Sequence, residues 1–293
     1  MLFQDFESRR LQGNDTEIFL RCGGSGPPLL LLHGYPQTHA MWHPVASELA
    51  KQFTVVCTDL RGYGDSGKPP SDEDHAPYSK RVMAADQVAV MEALGFRYFQ
   101  VVGHDRGARV AHRMALDHPG AVERLAVLDI VPTRDVFETA DQQLATAYYH
   151  WFFLIQSHGL PEHMIGLDPE FYLRDKLRRW SRVLDAFNEE AVQEYLRCFR
   201  DPATIHSTCE DYRAAATIDL EHDRADEHRQ VECPLLALWG SEGFVGQMYD
   251  VPALWRRRAR HVSGHGLPCG HFLVEEAPAA TLTALQAFLG SPE

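Results

Sequence analysis

Short, nearly unbroken apolar runs recur along this chain: Glu17 to Cys22, Leu29 to His33, Phe53 to Thr58, Phe99 to Gly103, Leu125 to Val131, Leu235 to Trp239 and Arg260 to Ser263. Strands apolar on both sides must be covered on both sides. The runs therefore predict a mostly parallel sheet between layers of helix. Helical patterns fill the gaps. Ser79 to Leu94 repeats Val82, Met83, Val90, Met91 and Leu94 along one stripe and meets Gly95 just past its end. Arg106 to Asp117 is a second helix, stopped by Pro119. Strand and helix in alternation define an α/β fold.

The alternation breaks between Pro132 and about Gln230. Strand signals vanish there, and aromatic helical segments take over, such as Tyr148-Tyr149-His150-Trp151-Phe152-Phe153 and Phe171 to Arg200. The expectation is a core built from residues 1–131 and 231–293, with residues 132–230 as a helical cap. The cap would lie over the C-terminal edge of the sheet, where open α/β sheets bind ligands.

A chain of 293 residues can bury a large core without staples. Cys22, Cys57, Cys198, Cys209, Cys233 and Cys269 show no C-x-x-C spacing, so reduced thiols in a cytoplasmic protein are expected. Met1 to Arg10 has no apolar leader core, and the longest aliphatic stretch, Leu29 to Leu32, falls far short of the ~20 residues a membrane span needs. Lysine and arginine total 28 against 41 acids, a net charge of −13. Such a field disfavours nucleic acid and anionic membranes as partners. It also disfavours a small anion unless arginines gather locally to hold it. The basic run Arg256-Arg257-Arg258, with Arg260, reads as a solvated helix face.

The chemistry concentrates in Val101-Val102-Gly103-His104-Asp105-Arg106-Gly107-Ala108. This is the strand, tight turn and helix of a nucleophile elbow, with Asp105 where serine is better known. A carboxylate is already ionised at neutral pH and needs no base to attack a saturated carbon. The resulting alkyl ester must then be hydrolysed. Arg106 and Arg109 stand in the first turn of the following helix, on one face, where cations oppose the helix dipole. Two guanidinium groups beside a carboxylate nucleophile suggest a bound anion, such as a substrate carboxylate. His39 and His43 are four apart but lack a carboxylate motif, so no metal site is expected from them.

With these residues in view, the chain resembles the α/β-hydrolase superfamily over nearly its whole length. The resemblance rests on His33-Gly34-Tyr35-Pro36, Asp59-Leu60-Arg61-Gly62-Tyr63-Gly64-Asp65-Ser66, the elbow and Gly270-His271-Phe272. It implies an oxyanion hole from the backbone N–H groups of Tyr35 and Arg106. It also implies a base at His271, with His265 the weaker candidate. The acid that orients the base commonly lies in a G-x-x-D pattern after the strand at Leu235, but here Gly240-Ser241-Glu242-Gly243 has no aspartate. Asp129, at the end of Leu125 to Val131, is therefore assigned to His271, with Glu242 as the fallback.

Asp105-Arg106, Arg109, Asp129, His150-Trp151, Tyr212 and His271 together look like fluoroacetate dehalogenases within that superfamily. The resemblance implies that Arg106 and Arg109 bind a haloacetate carboxylate, that His150, Trp151 and Tyr212 hold the departing halide, and that Asp105, His271 and Asp129 act as nucleophile, base and orienting acid. It implies a homodimer and neither organic cofactor nor metal. Three other readings remain. An epoxide hydrolase shares the aspartate but has no use for two arginines. A haloalkane dehalogenase normally has tryptophan where Arg106 stands. A catalytically silent binding protein could also occupy the fold.

Overall fold

The computed structural model describes residues 2–290 except 184. Among them, eight strands form one sheet: β1 Glu7–Gln12, β2 Glu17–Gly23, β3 Pro28–Leu32, β4 Thr54–Thr58, β5 Phe99–His104, β6 Val122–Leu128, β7 Leu235–Gly240 and β8 Val262–Leu267. Their order across the sheet is β1-β2-β4-β3-β5-β6-β7-β8. β2 runs antiparallel to both β1 and β4, and every other neighbouring pair is parallel. The four leucines of β3 are wholly buried, as are Leu125 to Leu128 of β6. Each such leucine or valine side chain contributes about 2 kcal/mol relative to exposure. Leu32, Gly103 and Val127 lie side by side, so β3, β5 and β6 end level at one edge.

The helix Lys80–Ala93 begins where Ser79 caps it, accepting from Val82 N–H, and Gly95 follows it with φ 89°. Arg106–Asp117 forms the helix after the elbow. Between β6 and β7 the chain is helical: Thr133–Glu138, Gln142–Ala147, Tyr149–Leu154, Leu160–Leu167, Pro169–Trp180, Glu189–Phe199, Pro202–Ala216 and Ile218–Ala225. Their apolar faces join the same core as the sheet, through Trp151, Leu154, Tyr195 and Tyr212.

Several expectations shift. β1 has no apolar run, because an edge strand with Ser8, Arg9 and Arg10 exposed needs only backbone pairing to β2. The last strand lies at Val262–Leu267 rather than Arg260 to Ser263. Its glycines are required by the close approach of β7, since a Cβ on Gly264 would sit 2.1 Å from the Ala237 carbonyl oxygen. β6 stops at Leu128 because Asp129 turns to φ 53°. Phe171 to Arg200 is two helices, interrupted after Trp180; within this stretch, Leu184 lies outside the described residues. Of the basic run, Arg256, Arg257 and Arg260 are exposed, whereas Arg258 reaches back to Asp135 at 3.3 Å. All six cysteines are free thiols. No helix among the described residues is long and apolar enough to cross a membrane.

Candidate active site

β5 delivers Asp105 into a bend at φ 46°, ψ −112°, a conformation L-residues avoid unless the surroundings enforce it. Sterics make the flanking glycines necessary. A Cβ on Gly103 would lie 2.5 Å from the Gly107 carbonyl oxygen, and one on Gly107 would lie 2.4 Å from that of His33. The Tyr35 backbone N–H donates to Asp105 Oδ1 at 2.9 Å, while Oδ2 takes no hydrogen bond from a described residue. Burial alone would raise the Asp105 pKa. The charge of His271, together with Arg106 and Arg109, outweighs it and holds the carboxyl below its usual value.

Asp129, at the next strand end, accepts a hydrogen bond from His271 Nδ1 at 2.6 Å on Oδ2 and one from the Gly240 N–H at 2.9 Å on Oδ1. The acid partner fixes the proton on Nδ1 and leaves Nε2 as the ring's acceptor. Burial works against the charged imidazole, yet the hydrogen bond and charge of Asp129 lift His271 above 6.5. His104, pushed down to about 3 by burial, is neutral and donates from Nε2 to the His271 carbonyl at 2.8 Å. Glu242 is exposed, so it is not the carboxylate that meets His271. His265 is exposed on β8. His39 turns inward to Asp59, at 2.9 Å, and packs against Phe3 and Phe19.

Arg106 and Arg109 are both buried, but they are held differently. Arg106 gives Nε and Nη2 to the carboxylate of Asp211, both at 2.8 Å, so its fork is already engaged and Nη1 alone is left buried without a partner. One of the two arginines thus also neutralises a neighbouring acid. Arg109 spends Nη1 on the Val131 carbonyl at 3.0 Å and on Thr133 Oγ1 at 2.9 Å, leaving Nε unpaired. Burial, and then the like charge of Arg106, lower the Arg109 pKa. Asp211 also accepts from Tyr63 Oη at 2.7 Å and pairs with Lys80. Sequence reasoning missed Asp211, although it directly precedes Tyr212; a lone acid in a helix gives no sign of being buried.

His150 and Trp151, on Tyr149–Leu154, face Tyr212, on Pro202–Ala216, with ring centroids 5.6 Å and 6.1 Å from it. Arg106 stacks over the Tyr212 ring at 4.1 Å and Arg109 over Trp151 at 4.7 Å. His150 Nδ1 and the Tyr212 hydroxyl are buried without partners. Burial, reinforced by Lys176, drives His150 well below its usual pKa, and burial pushes the Tyr212 phenol well up. Both therefore remain neutral donors. Trp180, also missed, lies 4.5 Å from His150 and 5.5 Å from His271 by ring centroids. Nothing in its local sequence separates it from the other aromatics of the helical segment. A cavity of about 750 Å³ opens on Asp105, His150, Trp151, Trp180 and His271.

Next to the loop carrying Tyr35, the buried carboxyl of Glu275 links Gln37 Nε2, at 2.5 Å, to Tyr195 Oη, at 2.8 Å. This ties the His271 segment to the loop that holds Asp105. Elsewhere, Glu162, His206 and Glu210 approach closely enough to share an ion, but Arg213 already bridges the two glutamates at 2.7 Å each.

These features, an aspartate elbow on a mostly parallel sheet and a histidine–aspartate pair at the same edge, agree with a match of residues 27–278 to the family model of the α/β hydrolase fold, and the chain belongs to that family. Over 289 residues it is 48% identical to a fluoroacetate dehalogenase of Burkholderia sp., covering 98% of this chain and 95% of that one. A soluble epoxide hydrolase of Corynebacterium sp. is 37% identical over 286 residues, with 94% of each chain covered. Among solved structures, a protein from Nostoc sp. PCC 7120 described as an α/β hydrolase shares 59% identity and a TM-score of 0.98, covering 99% of this chain and 100% of that one.

Proposed function

We propose that the protein hydrolyses haloacetates, fluoroacetate and chloroacetate among them, to glycolate and halide. The observation that carries this reading is the convergence of unpartnered buried donors around one open carboxylate oxygen. Arg106 Nη1, Arg109 Nε, His150 Nδ1 and the Tyr212 hydroxyl all lack protein partners, and each of these residues is near enough to Asp105 to feel its charge. Leaving such groups unsatisfied costs on the order of 1–3 kcal/mol each, which a small anion carrying a halogen would recover. The 48% identity to a fluoroacetate dehalogenase supports the same reading.

In this reading Arg106 Nη1 and Arg109 grip the substrate carboxylate. Asp105 Oδ2 attacks the α-carbon as the carbon–halogen bond breaks, and the halide leaves toward His150, Trp151 and Tyr212. Fluoride is strongly hydrated, so several donors must replace its water shell. Water then attacks the Asp105 carbonyl carbon, giving a proton to His271 Nε2 while Asp129 steadies the imidazolium. Charge on the ester oxygen is met by the N–H groups of Tyr35 and Arg106. The leaving glycolate oxygen takes a proton, Asp105 returns as carboxylate, and one proton passes to solvent. Neither metal nor organic cofactor enters.

Residues 132–230 serve as the cap in this scheme. A homodimer fits the apolar face that Leu160, Met164, Leu167 and Phe171 expose on two adjoining cap helices. Free thiols suit a cytoplasmic setting. The test is halide release from fluoroacetate and chloroacetate. Asp105→Asn is expected to lower it by at least about 10⁴-fold. Undiminished release by that variant, or none by the wild type, contradicts the reading.

A further inference from the structure

We propose a second activity for this pocket: hydrolysis of small epoxides that carry a carboxylate on the ring, oxirane-2-carboxylates such as glycidate. The proposal rests on the roles given above to Asp105, Arg106 and Arg109. Asp105 and the buried residues packed around it join parts that serve different substrates. Asp105 keeps one oxygen open to the cavity, suited to either a carbon–halogen or an epoxide carbon. Arg106 Nη1 and Arg109 Nε await an anion that a neutral epoxide does not supply. Tyr212 holds a buried, unpartnered hydroxyl near enough to Asp105 to feel its charge, with the Arg106 guanidinium 4.1 Å from its ring. Fluoride needs only hydrogen bonds in order to leave. An alkoxide needs a proton, and a phenol can provide one.

Glycidate differs from fluoroacetate by one oxygen in the place of fluorine and one methylene bridging it to the α-carbon. The cavity of about 750 Å³ has room for that methylene. Asp105 Oδ2 forms a bond to the ring carbon bearing the carboxylate as that carbon's bond to the ring oxygen breaks. The freed alkoxide takes the Tyr212 proton. Water adds to the Asp105 ester with a proton going to His271, and the departing 2-oxygen takes that proton back. The acid proton left on Asp105 passes through solvent to the Tyr212 phenolate. The net change is addition of one water, giving glycerate. The 37% identity to an epoxide hydrolase fits an aspartate elbow open to this chemistry.

The experiment offers glycidate, fluoroacetate and styrene oxide to the same preparations, with glycerate read by NMR and fluoride by electrode. Wild type should form glycerate, Asp105→Asn should not, and styrene oxide should turn over at least about tenfold more slowly for want of the arginine contacts. Tyr212→Phe should lower glycidate turnover about 100-fold, the size of a general-acid contribution. It should lower fluoroacetate turnover about tenfold at most, and that retained activity reports that the variant folds. Fluoride release without glycerate overturns this proposal alone. Glycerate without fluoride release overturns the dehalogenase reading and leaves this one standing. Equal loss on both substrates in Tyr212→Phe, or styrene oxide turned over as fast as glycidate, also overturns it.

Discussion

The sheet edge and the helical segment above it face one cavity with opposite kinds of residue. From the sheet come charged groups set by strained backbone. Asp105 and Asp129 both have positive φ and both are pinned by backbone N–H groups, of Tyr35 and Gly240. From the helices come neutral donors, His150, Trp151 and Tyr212, located by ring packing rather than by backbone geometry. Fixed charge suits bond making and ester hydrolysis, which are the same for every substrate. Neutral donors suit the leaving group, which is not. In the proposed reaction the contrast gives bond chemistry to the sheet and selectivity to the helical segment.

Asp129→Asn tests the sheet side most severely. It should slow ester hydrolysis by about 10⁴-fold whatever the halogen, while leaving a burst of one halide per site. A loss that depended on the halogen would break the division. The pH profile sharpens it. The proposed ester hydrolysis needs neutral His271, whose pKa lies above 6.5 because Asp129 outweighs burial. Activity should therefore fall as pH drops through that raised value, and a rate limb unshifted in Asp129→Asn would contradict the pairing.

Arg109→Ala should cost haloacetate turnover about 10²- to 10³-fold but spare a neutral ester. Arg106→Ala should lose haloacetate turnover and in addition weaken folding by about 3 kcal/mol, because it strips a buried partner from Asp211. Thermal melts and paired kinetics separate the two. On the cap side, Trp151→Phe should slow fluoroacetate about tenfold and bromoacetate only a few-fold, since fluoride depends most on donors.

The smallest effect is expected at Glu275. Burial raises its carboxyl to about 8, with Tyr195 and Gln37 opposing. The folded state then binds more protons than the unfolded state between the ordinary value of 4.5 and about 8, so stability declines as pH rises through that window. Glu275→Gln should remove this slope, so its melting temperature should gain on the wild type from pH 5 to 8. Parallel curves would show that Glu275 stays ionised throughout.

Much of this was legible before the structure, for physical reasons. Strands buried on both sides announce themselves by apolar content, so β3, β5, β6 and β7 stood out. β1 did not, because an edge strand is held by backbone pairing alone, and β8 was blurred by glycines that serve contact with β7. Asp105 was readable because the elbow demands glycines at fixed offsets. Asp211 and Trp180 were not, since a residue that packs through tertiary contact leaves no periodic trace. The half-engaged fork of Arg106 likewise follows from Asp211 arriving from a helix about a hundred residues away in sequence.

A single turnover of haloacetate in ¹⁸O-labelled water, with enzyme in excess, probes the central step directly. The account predicts the label in the peptide bearing Asp105 and unlabelled oxygen in the glycolate. Label in the glycolate with none on Asp105 would mean that water, not this carboxylate, displaces the halide.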